Sequence, residues 1–323
     1  MNTDNTIIHI ALAANHRYLP GLRATIASIL LSCKSKDRLM FHVFAEGLSS
    51  EDCEVVRATA GKFGVVQNID FVHPDMDPIK KLFKPYKGSH AAFLRLYLCE
   101  FLQDVDWIVY ADVDILWFRD VCELWDERND DVSVLWSKDL PSIREGAGRN
   151  PYWGRLVDES RYACSGVMLM NLKKMRETDF VHKCSDFVAK FGTPGFVDQD
   201  IMNCVCRDDS KLLDQRWDCM MPDKKAPKGV VLHFNGIGSL FNGPYESWLP
   251  HYNIWFDFYF AKILGQRFEL QFKKRLVFLL ASLIFPYRPI IKFFVWPFGL
   301  HRIDNIQRTL FFAWLRRKLQ GVL

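Results

Sequence analysis

A short apolar segment that ends in a pair of aspartates is the feature that most constrains the fold. Residues 107–111 are apolar or aromatic, and Asp112-Val113-Asp114 follows them directly. Two carboxylates one residue apart at the end of a buried strand can share one hard divalent cation such as Mg²⁺ or Mn²⁺. A short motif of this kind also occurs as a solvated strand end, which is the alternative interpretation. The rest of the sequence must decide between the two.

Strand-like and helix-like segments alternate through the first half of the chain. Apolar stretches typical of buried strands and segments with helical spacing follow one another at residues 7–13, 20–31, 39–45, 65–72 and 91–102. Ser49 and Asp52 have the spacing of a helix N-cap and its partner. The alternation predicts βαβ units and a mostly parallel sheet. Because ligands bind at the carboxyl ends of such strands, residues 15–17 and 112–114 are expected on one rim.

The second half carries further polar groups next to apolar segments. Residues 129–154 are rich in polar, glycine and proline residues, which predicts a long loop near the site. An apolar segment spans residues 162–172, and a helix is expected to begin at Asp198. Residues 230–233 are typical of a short strand that leads into a glycine-rich loop at 235–243.

Cysteine usage and the N-terminus indicate the compartment. The nine cysteines are scattered, and Cys204-Val205-Cys206 is the one close pair, without a second pair or a histidine cluster at zinc-ligand spacing. Residues 1–6 are polar and lack the features of a secretory signal. We therefore expect a reduced, cytoplasmic protein.

The C-terminal segment differs from the rest in charge. Residues 268–323 contain ten Lys and Arg against two acidic residues, a net charge of +8, so the remainder carries −4 of the total of +4. The apolar runs at 276–285 and 290–300 are too short or too interrupted to span a membrane. Interleaved aromatic and basic residues indicate a segment at an anionic membrane surface.

Two alternatives for this segment remain open, a helical packing element with a solvated basic face and a nucleic-acid-binding tail. No nucleic-acid motif appears, and the rest of the chain is acidic, so we expect no nucleic-acid partner. We predict a domain at 1–267 and a basic, aromatic, helical appendage at 268–323 that associates with membranes.

The ordered motifs of the chain resemble one enzyme family. In chain order they are Asn15-His16-Arg17, Arg95-Leu96-Tyr97, Asp112-Val113-Asp114, Cys164-Ser165-Gly166, Asp198-Gln199-Asp200 and His233-Phe234-Asn235-Gly236. Over roughly residues 7–245 the sequence resembles glycosyltransferase family 8, which includes bacterial lipopolysaccharide galactosyl- and glucosyltransferases. The family is one of retaining enzymes.

The resemblance implies an α/β fold of the GT-A type, a Rossmann-like nucleotide-diphospho-sugar transferase fold. It also implies a uridine-diphosphate (UDP) hexose donor, a lipid-linked glycan acceptor such as lipopolysaccharide core, and Mn²⁺ or Mg²⁺ held by Asp112, Asp114 and His233. Such an enzyme would lie on the cytoplasmic face of the inner membrane. The residues that would bind the donor are Ala13, Asn15, Arg17, Arg95, Asp112, Val113, Asp114, Cys164, Ser165 and Gly236.

The resemblance assigns the chemistry to Asp198, Gln199 and Asp139. Gln199 would face the anomeric carbon, and because an amide is a poor nucleophile, we expect front-face attack rather than a covalent intermediate. From the residues alone, Asp198 could equally cap a helix, Asp139 could be a loop acid, and Arg95 a surface arginine.

Three positions depart from the family pattern. Asn15 replaces a frequent aspartate, Cys164 replaces an asparagine that contacts the donor sugar, and Ser239-Leu240-Phe241 replaces Lys-Pro-Trp. The missing lysine leaves a second interpretation open, a nucleotide-sugar-binding protein with weakened or lost transfer activity. A third, a metal-dependent phosphohydrolase, would use Asp112, Asp114 and His233.

Overall fold

A mixed seven-stranded sheet forms the centre of the described part of the protein. The computed structural model describes residues 6–86, 88–139, 159–219 and 229–233. The strands are β1 Ile8–Ala14, β2 Leu39–Ala45, β3 Ile69–Val72, β4 Trp107–Ala111, β5 Ile115–Trp117, β6 Val134–Lys138, β7 Ala163–Asn171, β8 Ser210–Leu212 and β9 Val231–His233. The order in the large sheet is β3-β2-β1-β4-β7-β6-β8, and β5 and β9 form a separate pair.

Strand direction divides the large sheet into two parts. Strands β3, β2, β1 and β4 are parallel, as the alternation of segments predicts. Strand β7 runs antiparallel to both β4 and β6, and β8 is parallel to β6. The prediction of an α/β fold with a parallel-dominated sheet is therefore confirmed. The apolar segment at 162–172 forms β7, and its antiparallel direction is what the sequence did not indicate.

Helices cover both faces of the sheet and bury its side chains. The α-helices in the described residues are α1 Leu19–Ser32, α2 Ser50–Gly61, α3 Asp77–Leu82, α4 Leu98–Phe101, α5 Val121–Trp125, α6 Leu172–Glu177, α7 Phe180–Phe191 and α8 Val197–Val205. Alternate residues of β4 enter different cores: Val109 packs with α1 and α2, and Ile108 packs with α4, α6 and α7. This period of two explains why β4 is apolar throughout, since both of its faces are buried.

Several local predictions hold. Strand β2 has the predicted bounds, and β1 and α1 lie within one residue of theirs. The Ser49 side chain accepts from the Asp52 backbone N–H at 3.1 Å, and the Asp52 carboxylate accepts from the Ser49 N–H at 3.0 Å. This reciprocal capping box fixes the start of α2.

Other boundaries were wrong. Strand β3 begins at Ile69 instead of 65, because Val65 is buried by the end of α2, where Gly64 has a φ of 76° and the Val65 N–H donates to the Ala60 carbonyl. The helix expected at 91–102 is a 3-10 helix, Ala91–Tyr97, followed by the short α4. Within the segment expected as a loop at 129–154, residues 132–136 have a strand-like pattern, and strand β6 lies there, beginning and ending two residues later; residues 140–158 lie outside the described part.

The ribbon of β5 and β9 joins the two distant segments that carry Asp114 and His233. The strands are antiparallel, with Ile115 opposite His233. Helix α1 holds the ribbon through two buried hydroxyls: Thr25 Oγ1 donates to the Ile115 carbonyl at 2.8 Å, and Ser28 Oγ accepts from the Trp117 N–H at 2.9 Å. These two hydrogen bonds to α1 thus fix the strand that begins directly after Asp114.

The predicted domain boundary at 267 and the appendage at 268–323 lie outside the described residues and stay predictions. Among the described residues, no helix combines the length and the apolar character needed to cross a membrane.

Ser28→Ala should lower the free energy of unfolding by about 1–3 kcal/mol, because the buried Trp117 N–H loses its acceptor. Urea unfolding followed by linear extrapolation measures the change. Ser32→Ala is the matched control, since Ser32 Oγ donates only to carbonyls of its own helix. Equal effects of the two substitutions would contradict the assigned role of Ser28.

Candidate active site

The two aspartates after β4 and the last residue of β9 form a cluster of possible metal ligands. One ligand atom from each of Asp112, Asp114 and His233 lies within 4.8 Å of the others. His233 is buried, and its Nε2 lies 3.4 Å from Asp114 Oδ1. All three residues were predicted from the sequence, and the pairing of β5 with β9 brings His233 to the aspartates.

A glycine in β7 makes this approach possible. The Gly166 carbonyl accepts from the Asp112 N–H at 2.8 Å, so β7 contacts the first residue of the acidic motif. A Cβ at Gly166 would lie 2.3 Å from Cε1 of the His233 ring, which is closer than non-bonded atoms can come. The imidazole therefore occupies the space that any other residue at 166 would fill.

A buried arginine links the acidic pair to the helix that carries Asp198. Arg95 Nη2 lies 2.7 Å from Asp112 Oδ1, and Arg95 Nε lies 3.1 Å from Asp198 Oδ2. Its Nη1 donates to the Ser165 carbonyl at 2.6 Å, and its guanidinium carbon lies 4.4 Å from the centre of the Tyr110 ring. Arg95 is thus a central element of the site, and the interpretation as a surface arginine was wrong.

The charges around Arg95 shift one another's pKa values. Burial raises the pKa of Asp112, and it raises the pKa of Asp198 to about 6, while Arg95 acts in the opposite direction on both. Burial alone would lower the pKa of Arg95, but the carboxylates of Asp112 and Asp198 raise it above its usual value. The guanidinium therefore stays charged between the carboxylates of Asp112 and Asp198.

Helix α8 presents Gln199 with both ends of its amide held. Nε2 donates to Asp139 Oδ2 at 2.8 Å and to the Tyr162 hydroxyl at 3.0 Å, and Oε1 accepts from the Ser165 N–H at 3.1 Å. Asp139 is fully buried at the end of β6, so it is not a solvated loop acid. The N-cap of α8 is Phe196, so Asp198 does not cap the helix and instead accepts from Ser165 Oγ at 3.0 Å.

The backbone just before these residues is strained. Val197 has a φ of 40°, a conformation that is unfavourable for a β-branched residue and costs about 1–3 kcal/mol. The Phe196 N–H donates to Asp200 Oδ2 at 2.9 Å, and the Val197 N–H donates to the Pro194 carbonyl at 3.2 Å. These bonds hold the entry to α8 in the orientation that places Asp198 and Gln199 in the site.

The end of β1 reaches the same rim, because β1 runs parallel beside β4. Ala13 is buried near this end, and Asn15 Nδ2 lies 3.5 Å from Glu46 Oε2. Asn15 Oδ1 is buried and accepts no hydrogen bond from the described residues. Arg17 is half-buried, with its guanidinium carbon 5.8 Å from the centre of the Tyr18 ring.

The remaining predicted donor residues differ in their placement. Cys164 is fully buried, its Sγ lies 3.7 Å from His233 Nδ1, and burial raises the pKa of its thiol. Val113 packs into the core between the two aspartates. Gly236 and the departure at 239–241 lie outside the described residues.

Several residues of the site were not predicted from the sequence. Asp218 is fully buried, with Oδ1 2.9 Å from His233 Nδ1, and nothing in the sequence around it indicated this. Glu46 follows β2 and contacts Asn15, which follows β1, because the two strands are neighbours in the sheet. The sequence pattern does not reveal which side chains such a strand pairing brings together. Tyr110, whose hydroxyl donates to Asp112 Oδ1 at 2.9 Å, could have been found, since it lies two residues earlier on the same face of the strand.

Comparisons with known proteins give one family. The model of the family described as glycosyl transferase family 8 matches residues 9–239. General stress protein A of Bacillus subtilis is 23% identical over 70% of this chain and 79% of its own length. Lipopolysaccharide 1,2-glucosyltransferase of Escherichia coli is 24% identical over 76% of this chain and 75% of its own.

The solved structures include the galactosyltransferase LgtC in complex with donor and acceptor sugar analogues. Its TM-score is 0.66 at 23% identity, over 83% of this chain and 99% of LgtC. An active-site mutant of LgtC with glutamine changed to glutamate has a TM-score of 0.65 at 22% identity, with the same coverage. The likeness shows that the chain has the GT-A fold.

Gly166→Ala should lower the free energy of unfolding by about 1–3 kcal/mol, because the new Cβ overlaps the buried His233 ring. The control is Gly195→Ala, since a Cβ at Gly195 meets no atom within 4 Å and should change stability by less than about 0.5 kcal/mol. Denaturant unfolding of the three proteins tests the contact. A Gly166→Ala protein as stable as the control would contradict it.

Proposed function

The chain belongs to glycosyltransferase family 8 and is a nucleotide-sugar glycosyltransferase, and from this premise we propose its substrates and mechanism. We propose that it moves a hexose, galactose or glucose, from a UDP-sugar to lipopolysaccharide core or another lipid-linked glycan, with retention and with a divalent cation. The observation that carries the proposal is the cluster of Asp112, Asp114 and His233 beside the buried Arg95.

The donor groups of the cluster fit Mn²⁺ or Mg²⁺. Two carboxylates and one imidazole suit these ions, and their ligand atoms are close enough to share one. Besides burial, the neighbouring Asp114 carboxylate raises the pKa of Asp112, and a bound cation would relieve that repulsion. A bound ion would offset the negative charge that develops on the departing diphosphate.

The rim next to β1 fits the nucleotide. The unpartnered Oδ1 of Asn15 can accept the imide N–H of a uracil ring, as the carboxylate found in other family members would. Arg17 lies half-buried at the same rim and can donate to ribose or phosphate oxygens. These contacts support UDP as the carrier of the sugar.

The inner side of the site fits a sugar ring held next to Gln199. Asp139, Tyr162 and Ser165 fix the amide of Gln199, so it can stabilise charge at the anomeric carbon without rotating. LgtC has an active-site glutamine, and we assign the corresponding place to Gln199. Because an amide is a poor nucleophile, front-face attack with an oxocarbenium-like state follows. A glycosyl adduct trapped on Asp198 or Gln199 would exclude this route.

The acceptor proposal rests on the relatives and on the basic C-terminal segment. One relative is a lipopolysaccharide glucosyltransferase, and residues 268–323 carry a net charge of +8. We propose that this segment holds the enzyme peripherally on the cytoplasmic face of the inner membrane, near a lipid-linked acceptor.

Purified protein with Mn²⁺ should release UDP from UDP-glucose or UDP-galactose, and release should stop when the metal is removed. Asp114→Asn should reduce the rate by at least about 100-fold, because a metal ligand is lost. The exposed Asp104→Asn is the matched control and should match the wild type. A coupled assay for UDP, with UDP-N-acetylglucosamine as a third donor, makes the measurement.

Other products would separate the alternatives. Sugar 1-phosphate in place of UDP would indicate a phosphohydrolase. Tight binding of donors without turnover, with all acceptors tried, would favour a protein that has lost transfer. Release that does not need a metal would contradict the role given to Asp112, Asp114 and His233.

The full chain should float with vesicles that contain anionic phosphatidylglycerol but less with vesicles of phosphatidylcholine, and high salt should weaken the difference. Changing Arg316, Arg317 and Lys318 to Gln should weaken binding roughly 100-fold, since each basic residue contributes about 1 kcal/mol. The control with the same charge change is Lys34, Lys80 and Lys84, all exposed, changed to Gln. Equal binding of the two variants would refute the role of the segment.

A further inference from the structure

The side of the His233 ring that faces away from Asp114 contacts a second buried carboxylate. Nδ1 of His233 lies 2.9 Å from Asp218 Oδ1, and both side chains are at most 4% exposed. Two backbone hydrogen bonds fix the approach: the Cys219 N–H donates to the Val231 carbonyl at 2.8 Å, and the His233 N–H donates to the Cys219 carbonyl at 3.1 Å. The contact is therefore set by the pairing of the backbone around Asp218 with β9.

The two ring nitrogens of His233 thus face different partners. A carboxylate accepts hydrogen bonds, so Asp218 favours the form of the imidazole with its proton on Nδ1. Nε2 then keeps its lone pair on the side of Asp114, 3.4 Å away, and of Asp112. This is the form in which a histidine binds a metal through Nε2.

The surroundings of Asp218 argue against a purely structural role. Its Oδ2 is buried without a hydrogen-bond partner among the described residues. A buried carboxylate with a single partner lowers stability relative to a neutral acceptor, which would serve the same hydrogen bond with less desolvation. The other group near Nδ1, Cys164 Sγ at 3.7 Å, is a weak hydrogen-bonder and does not replace it.

We propose that Asp218 is a positioning residue that fixes the tautomer and the orientation of His233 for a divalent cation shared with Asp112 and Asp114. The inference rests on the metal site of the proposed function. Asp218 itself touches neither the cation nor the substrate. Its carboxylate acts through the imidazole, which becomes a better electron-pair donor at Nε2.

The first test measures Mn²⁺ binding to the full chain without any substrate, by electron paramagnetic resonance of the free ion. Asp218→Ala should raise the Kd about 10–100-fold, the range typical of lost outer-shell partners of metal ligands. Asp218→Asn should cause a smaller rise, because the amide oxygen can still accept from Nδ1 but carries no charge. Asp214→Asn, an exposed position four residues earlier, is the matched control and should leave the Kd unchanged.

The second test needs no metal. Because the carboxylates of Asp218 and Asp114 raise the pKa of His233 despite its burial, the rings are compared at a pH high enough to leave His233 neutral. Nitrogen-15 NMR of the histidine rings, assigned with a His233→Gln variant, should then show His233 with its proton on Nδ1 in the wild type and a mixed state in Asp218→Ala. A merely structural aspartate would not change the tautomer of a folded variant. If Asp218→Ala does not fold, the isosteric Asp218→Asn decides by the same two measurements.

The outcomes separate this inference from the proposed function. If the wild type binds no Mn²⁺, the proposed metal site fails, and the inference with it. If the wild type binds Mn²⁺ but the folded Asp218 variants have the same Kd within about two-fold and the same tautomer, only the role of Asp218 is overturned. A higher Kd together with a changed tautomer supports it.

Discussion

The ion pairs of the buried Arg95 guanidinium are the interaction on which the rest of the site depends. Arg95 contacts Asp112 at the end of β4, Ser165 in β7 and Asp198 in α8, so one side chain ties three elements together. Without it, two partly or fully buried carboxylates would face each other uncompensated, at a cost of about 3–5 kcal/mol. The short 3-10 helix that carries Arg95 is therefore part of the site's construction, although it interrupts the regular helix that the sequence pattern predicts.

The antiparallel strand β7 positions the groups that contact Arg95, Gln199 and Asp112. Inserted between β4 and β6, it delivers Ser165 to Arg95 and Gln199, and Gly166 to Asp112 and the ring of His233. Ser165 contacts Arg95 through its carbonyl and hydroxyl oxygens and Gln199 through its N–H, and the missing Cβ of Gly166 leaves room for the His233 ring. At Gly166 the backbone of β7 lies so close to the His233 ring that a Cβ would overlap it. The site is therefore built from the backbone of β7 and from side chains of neighbouring segments.

Local sequence patterns predicted the parts of the site that depend on local chemistry. Acidic residues after an apolar strand and a histidine after another can be recognised without a structure, as Asp112, Asp114 and His233 show. Asp218 and Glu46 could not be predicted, because their importance comes from pairings between segments far apart in the chain. For the same reason the pattern misjudged Val65, whose burial arises from packing at the end of a helix rather than from a strand.

The charge balance of the site connects the fold to its proposed chemistry. Asp112 and Asp198 contact the Arg95 guanidinium, and Asp114 and Asp218 lie at the two ring nitrogens of His233. The folded chain holds these groups close together, so repulsion among them is already present before any ligand binds. A divalent cation and the nucleotide diphosphate it accompanies would relieve that repulsion, and part of their binding free energy would appear as stability of the folded state. The backbone of Val197, next to Asp198 and Gln199, is strained as well. The packing that stabilises the fold also maintains this unfavourable backbone conformation at the site of the proposed chemistry.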